Sequence, residues 1–148
     1  QSTHLLSSYP YIYFDREKYF VEATNFMITG KNIGILYLFL VSDLGFYIFT
    51  RFYSGPQFDS TGFRYKKNYL EEMFVPTLIN DSKALIESEM LISSIKNGVN
   101  VNEQINIFWY NILDLENDEI QLIKNYKSSI LNTSLIIDDN SNITEMIL

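Results

Sequence analysis

The sequence predicts an α+β fold, an antiparallel β-sheet packed with a long buried helix and followed by a C-terminal helical appendage. Three patterns predict it: aromatic and β-branched runs around a charged turn near the start, an apolar stretch from Ile33 to Tyr53, and amphipathic polar segments after Asn80. Tyr11-Ile12-Tyr13-Phe14 and Tyr19-Phe20-Val21-Glu22-Ala23-Thr24 flank Asp15-Arg16-Glu17-Lys18 and read as a hairpin. A strand from Asn25 to Thr29 continues it. Gly30-Lys31-Asn32 interrupts the run, and Asn32 suits the N-cap of the helix that follows.

That helix, Ile33 to Tyr53, has about the length that spans a bilayer, so a small membrane-anchored protein is one reading of it. Asp43 near its middle would cost about 3 kcal/mol in lipid. Asp43, Tyr47, Thr50, Arg51 and Ser54 recur at helical spacing on one stripe, which predicts a buried helix of a water-facing protein with one wetted edge. Ser54-Gly55-Pro56 stops it, because glycine reaches positive φ and proline cannot continue the ladder. Beyond a loop to about Gly62, Phe63 to Tyr65 predict a short strand and Asn68 to Met73 a helical turn. Phe74 to Leu78 form an extended piece that Pro76 confines to an edge or a strand end.

After Asn80 the pattern of Ala84, Leu85, Glu87, Ser88, Leu91, Ile92 and Ile95 predicts an amphipathic helix ended by Asn97-Gly98. Two more helices follow, from about Val101 to Leu113 and from Asn117 to about Ser129. The expected organisation is an α+β core over residues 1–80, a helical extension over 81–130, and a tail over 131–148 that is a marginal strand or flexible.

At 148 residues, 47% hydrophobic and 20% charged, the composition is that of a globular domain with a core. The chain lacks an initial Met and a leader, and reads as part of something longer. It contains no Cys and one His, His4, which excludes thiolate zinc sites, cysteine nucleophiles and a Ser-His-Asp triad. A reducing cytoplasm is compatible with that usage. The net charge of −7 opposes binding to phosphate, but residues 1–70 hold seven Lys and Arg against five Asp and Glu, whereas residues 71–148 hold four against thirteen. Only the first part is suited to face DNA.

In that part the cluster Gly62-Phe63-Arg64-Tyr65-Lys66-Lys67 follows the turn at Ser54-Gly55. Arg64, Lys66 and Lys67 either neutralise phosphates and read guanine, or form a solvated cationic edge that keeps a strand from aggregating. Tyr65 alternates with the cations and is expected to pack inward. Ser54 and Gly55 either offer backbone N–H groups to phosphate or simply end the helix. Lys31 and Arg51 are further phosphate candidates, Arg51 pairing alternatively with Asp43 or Asp59. Asp114, Glu116, Asp118 and Glu119 lack the glycine of a calcium loop and suit a helix N-terminus instead, so no metal is expected. Phe108, Trp109 and Tyr110 lie in the acidic half and are expected in the core rather than under a stacked base.

Three stretches together resemble the TaqI-like C-terminal specificity domain of type II restriction-modification DNA methyltransferases, over about residues 11–125. The first is Thr29-Gly30-Lys31-Asn32 with Leu36-Tyr37-Leu38-Phe39-Leu40, similar to that family's glycine start and leucine-rich helix. The second is Phe52-Tyr53-Ser54-Gly55, then Gly62-Phe63-Arg64-Tyr65-Lys66-Lys67-Asn68-Tyr69-Leu70-Glu71 and Val75-Pro76, similar to its Ser-Gly, Tyr-Arg-Tyr-Lys-Lys, Phe-Leu and Pro-Ile-Pro succession. The third is Ile105 to Ile120, with Ile105, Tyr110 and Leu115 at the spacing of its closing helix. The chain departs from the pattern at Val41-Ser42-Asp43, where many members have Asn-Ser-Lys, at Phe74 in place of the first proline, and at Leu113-Asp114-Leu115 in place of Tyr-Gly-Leu.

The resemblance implies a non-catalytic target-recognition module of a cytoplasmic bacterial restriction system. Such a module positions double-stranded DNA against an upstream adenine-N6 methyltransferase domain, in a parent enzyme that in some members also cuts. S-adenosylmethionine would belong to that domain, since this chain has neither a glycine-containing loop for it nor an Asn-Pro-Pro-aromatic motif, and no cofactor is expected here. The rival reading is a protein-interaction module that docks through the acidic helical half.

Overall fold

The fold is seen in a computed structural model that describes residues 12–15, 27–54, 63, 66–78 and 81–130. Among them the chain is all-α, which corrects the expected α+β fold. Residues 27–29, expected in a strand, have no regular structure, and Phe63 makes only an isolated bridge. The residues 12–14 are irregular too, and the second arm of the expected hairpin, Tyr19 to Thr24, lies outside the described residues. Strand propensity measures fit to a neighbouring pleated surface, and no described segment supplies one. The extended piece after Met73 shows the substitution directly: the Phe74 N–H donates to the Tyr53 hydroxyl at 3.1 Å, a side chain serving where a ladder partner was expected.

The predicted long helix is instead two helices and a π turn. Helix α1 spans Ile33–Leu40, α2 spans Asp43–Ile48, and a π-helix over Phe49–Tyr53 continues α2. The axis bends by 73° between Ile33–Leu40 and Asp43–Tyr53. Ser42 causes the break. Its backbone is extended, and its hydroxyl accepts from the Gly45 N–H at 2.9 Å while donating to the Phe39 carbonyl at 2.7 Å. One hydroxyl thus caps the start of α2 and satisfies the end of α1. Gly45 makes the bend sterically possible, because a Cβ there would overlap the Phe39 carbonyl. No single helix among the described residues is long and apolar enough to cross a membrane; only the bent pair reaches that length and composition. Asn32 does precede α1 as expected, but in the left-handed region and without a side-chain cap bond.

The later helices match expectation. Helix α3 spans Lys67–Glu72, α4 Ser82–Lys96 and α5 Asn102–Ile112. Residues 117–130 form a further helix, α6. The Asp81 carboxylate caps α4 by accepting from the Ala84 N–H at 2.9 Å. At the start of α6 the Glu116 N–H donates to the Glu119 carboxylate at 2.8 Å, half of a capping box. The acidic run is therefore a helix start, as its sequence indicated.

Packing follows from which faces are apolar. Helix α1 lies on α4, α2 on α5, and α4 on α5. Phe39 and Trp109 are fully buried, with Phe108 beside them; the Trp109 ring meets each edge-on at a centroid distance of 5.1 Å. Leu38, Phe49, Ile92 and Ile105 complete this centre, and Ile123 brings α6 onto the same core. Trp109 and its neighbours are thus core residues, as expected.

Candidate nucleic-acid interface

The expected wetted stripe is largely dry, which changes what each of its residues can do. Asp43 is 7% exposed and accepts from the Lys127 ammonium at 2.7 Å, while its N–H donates to the Asn106 side-chain oxygen at 2.8 Å. The carboxylate considered as a partner for Arg51 is thus held by α6. Thr50 is buried and donates to the Phe46 carbonyl at 2.7 Å. Arg51 alone of the stripe is exposed.

The π turn sets the direction in which Arg51 points. Its signature bond is from the Ser54 N–H to the Phe49 carbonyl, 2.8 Å, one residue longer than an α-helical ring. The Ser54 hydroxyl donates to the Thr50 carbonyl at 2.7 Å, so it closes the helix. Helix termination, one of the two roles open for Ser54 in the sequence, is the one its hydroxyl performs. Gly55 lies outside the described residues.

Helix α3 packs against the π turn. Lys66, which precedes α3, and Lys67, its first residue, are both exposed. The Lys66 ammonium lies 5.4 Å from the Tyr69 ring centroid. The Lys67 ammonium lies 3.5 Å from the Glu71 carboxylate, with both side chains well exposed. An exposed pair one helical turn apart is worth about 0.3–0.5 kcal/mol, too little to keep Lys67 from a phosphate. Arg64 and Tyr65, between Phe63 and Lys66, lie outside the described residues; Phe63 itself is buried, edge-on to Phe46 at 5.9 Å.

Lys31 is exposed in the turn before α1. Residues 27–29, just before it, line a cleft of about 340 Å³ with Leu36, Leu40, Leu70 and Met73 and with the paired Lys67 and Glu71. The four described cations of the set, Lys31, Arg51, Lys66 and Lys67, are all at the surface.

Two features of this corner had no signal in the sequence. Phe52 and Phe74 are 68% and 78% exposed, an unusual state for phenylalanine. Phe52 is the residue after Arg51, and Phe74 is tied to the π turn through Tyr53. The other omission is Lys127 as the partner of Asp43, a contact across 84 residues that no local pattern announces. Among the described residues no cluster of three acidic or histidine side chains could hold a metal ion. Comparison with known protein families, curated proteins and solved structures finds no match to this chain.

Proposed function

We propose that this chain is the target-recognition part of a cytoplasmic restriction-modification adenine methyltransferase, and that it contacts double-stranded DNA through the corner formed by the π turn and α3. The observation that carries the reading is that Arg51 of the π turn and Lys66 and Lys67 at the start of α3 are all exposed, on two elements that pack together, in a chain of net charge −7. Arg64, between the same elements in sequence, is proposed as a further cation that contacts DNA. The cations neutralise phosphates and fix the register of the duplex, and arginine adds base reading where its fork meets guanine. Methyl transfer, with its S-adenosylmethionine, is the work of an upstream domain in this reading, and the chain itself is not an enzyme.

The test is duplex binding across a salt series. Replacing Arg64, Lys66 and Lys67 together by alanine should abolish the salt-sensitive component, with an unchanged far-ultraviolet circular dichroism spectrum. Unaltered DNA methylation by a parent enzyme carrying the triple replacement would refute the reading.

A second reading is favoured by a separate observation. Ile86 and Met90, one turn apart on α4, are 65% and 66% exposed, and Glu87 and Glu89 stand beside them. Exposed apolar residues on an acidic helix suit a protein partner. Loss of a subunit or domain contact on Met90→Lys, with duplex binding intact, would mark α4 as a docking face.

A further inference from the structure

Helix α6 is attached to the rest of the molecule by directional contacts as much as by apolar burial. On α5, Glu103, Asn106 and Tyr110 recur at i, i+3 and i+7, on one face. Lys124 and Lys127 stand three apart on α6. The Lys124 ammonium is 3.6 Å from the Glu103 carboxylate, and the Lys127 ammonium is 2.7 Å from the Asp43 carboxylate. Asp43, whose N–H reaches Asn106, is the first residue of α2. Beside this pair, the Tyr126 ring stands edge-on to Tyr47 of α2, with centroids 5.1 Å apart. Tyr47 in turn meets Phe52 edge-on at 6.2 Å, and Phe52 adjoins Arg51 in the π turn. A continuous series of contacts therefore runs from α6 through α2 to the exposed arginine.

Apolar burial is non-directional, and alone it tolerates rotation and sliding of a helix. A short ion pair and edge-on rings do not, because their strength depends on geometry. We infer that α6 is a positioning strap: the Lys127–Asp43 pair and the Tyr126–Tyr47 contact hold α2, and the π turn that continues it, in the rotation that presents Arg51 to solvent. This rests on the DNA-binding reading above and assigns to α6 the control of that site.

Lys127→Met in the full chain retains the apolar stem and removes the charge. The expected result is faster amide hydrogen exchange over residues 43–54 as well as 117–130. Duplex affinity should fall about tenfold, the scale on which residues remote from a ligand alter its binding. The salt dependence should decrease by about one unit of slope, as for one lost phosphate contact. Lys127→Arg should restore all three. In an Arg51→Gln background, Lys127→Met should weaken binding no further, because the strap acts through that arginine. Additive losses in the double variant, or unaltered affinity in Lys127→Met, overturn the inference. Should Lys127→Met fail to fold, Tyr126→Leu tests the same series of contacts with the ion pair intact. If the unmodified chain binds no duplex, the DNA reading falls, and the exchange pattern then decides the strap by itself. Exchange accelerated through 43–54 supports it; exchange accelerated only in 117–130 overturns it.

Discussion

The junction of α1, α4 and α5 and the corner of the π turn and α3 draw on the same supply of aromatic residues and end in opposite states. At the junction Phe39, Phe108 and Trp109 are sealed; at the corner Phe52 and Phe74 stand in solvent. Composition does not separate them. The junction has helices of eight, fifteen and eleven residues around it, whereas the described residues of the corner form a five-residue π turn and a six-residue helix. Among the described residues, closure thus follows how much neighbouring helix is present.

The contrast would be broken most directly by Trp109→Ala. Removing a fully buried indole should cost about 4 kcal/mol, read as a shift of the urea midpoint at constant slope. A cost under about 1 kcal/mol would mean that the junction is no better packed than the corner. Next in size is Gly45→Ala, expected to cost about 2–3 kcal/mol because the added methyl overlaps the Phe39 carbonyl, a backbone atom held by the bend. Thermal unfolding monitored by Trp109 fluorescence measures it.

An alkaline titration sharpens the comparison on its polar side. Burial, with added repulsion from Asp43 and Glu103, pushes the Tyr110 phenol up from its ordinary 10.0 to about 12. The folded chain keeps this proton to higher pH than the unfolded chain does. Stability should therefore be full below about pH 10 and decline as pH rises toward 12, by up to about 1.4 kcal/mol per unit. Tyr110→Phe should flatten that decline, leaving the share from Tyr37, which burial raises in the same direction. At neutral pH the replacement should be nearly neutral, since the buried hydroxyl has no hydrogen-bond partner among the described residues. The smallest effect belongs to the corner: Phe74→Ala should change stability by less than about 0.5 kcal/mol. A larger loss would show that the corner is covered in solution.

What the sequence made legible follows the range of the interactions involved. Helices α3, α4, α5 and α6 were readable because periodicity and stops such as Asn97-Gly98 are local, and the core role of Trp109 because it sits in the acidic half, which repels phosphate. The break at Ser42 was also encoded locally, in Ser42-Asp43 followed by Gly45, but the apolar character of both flanking helices masked it. The α+β expectation failed because aromatic and β-branched runs mark a residue as needing cover, without saying whether a strand or a helix will provide it. Among the site residues, the exposure of Lys31, Arg51, Lys66 and Lys67 could be anticipated from charge alone. The fate of Asp43 could not, because its partner lies 84 residues away on α6.

The turn at Phe49–Tyr53 holds one residue more than an α-helix would place between the same two hydrogen-bonded groups. Since each residue of an α-helix advances by about 100° around the axis, deleting any one of these five would restore ordinary winding and redirect the outgoing backbone by roughly that angle. Local chain length, more than the identity of any side chain in it, would then decide the direction in which the backbone leaves Ser54. Among related chains, a gain or loss of a single codon at this spot would redirect the backbone at Ser54, a larger change than most point substitutions there could make.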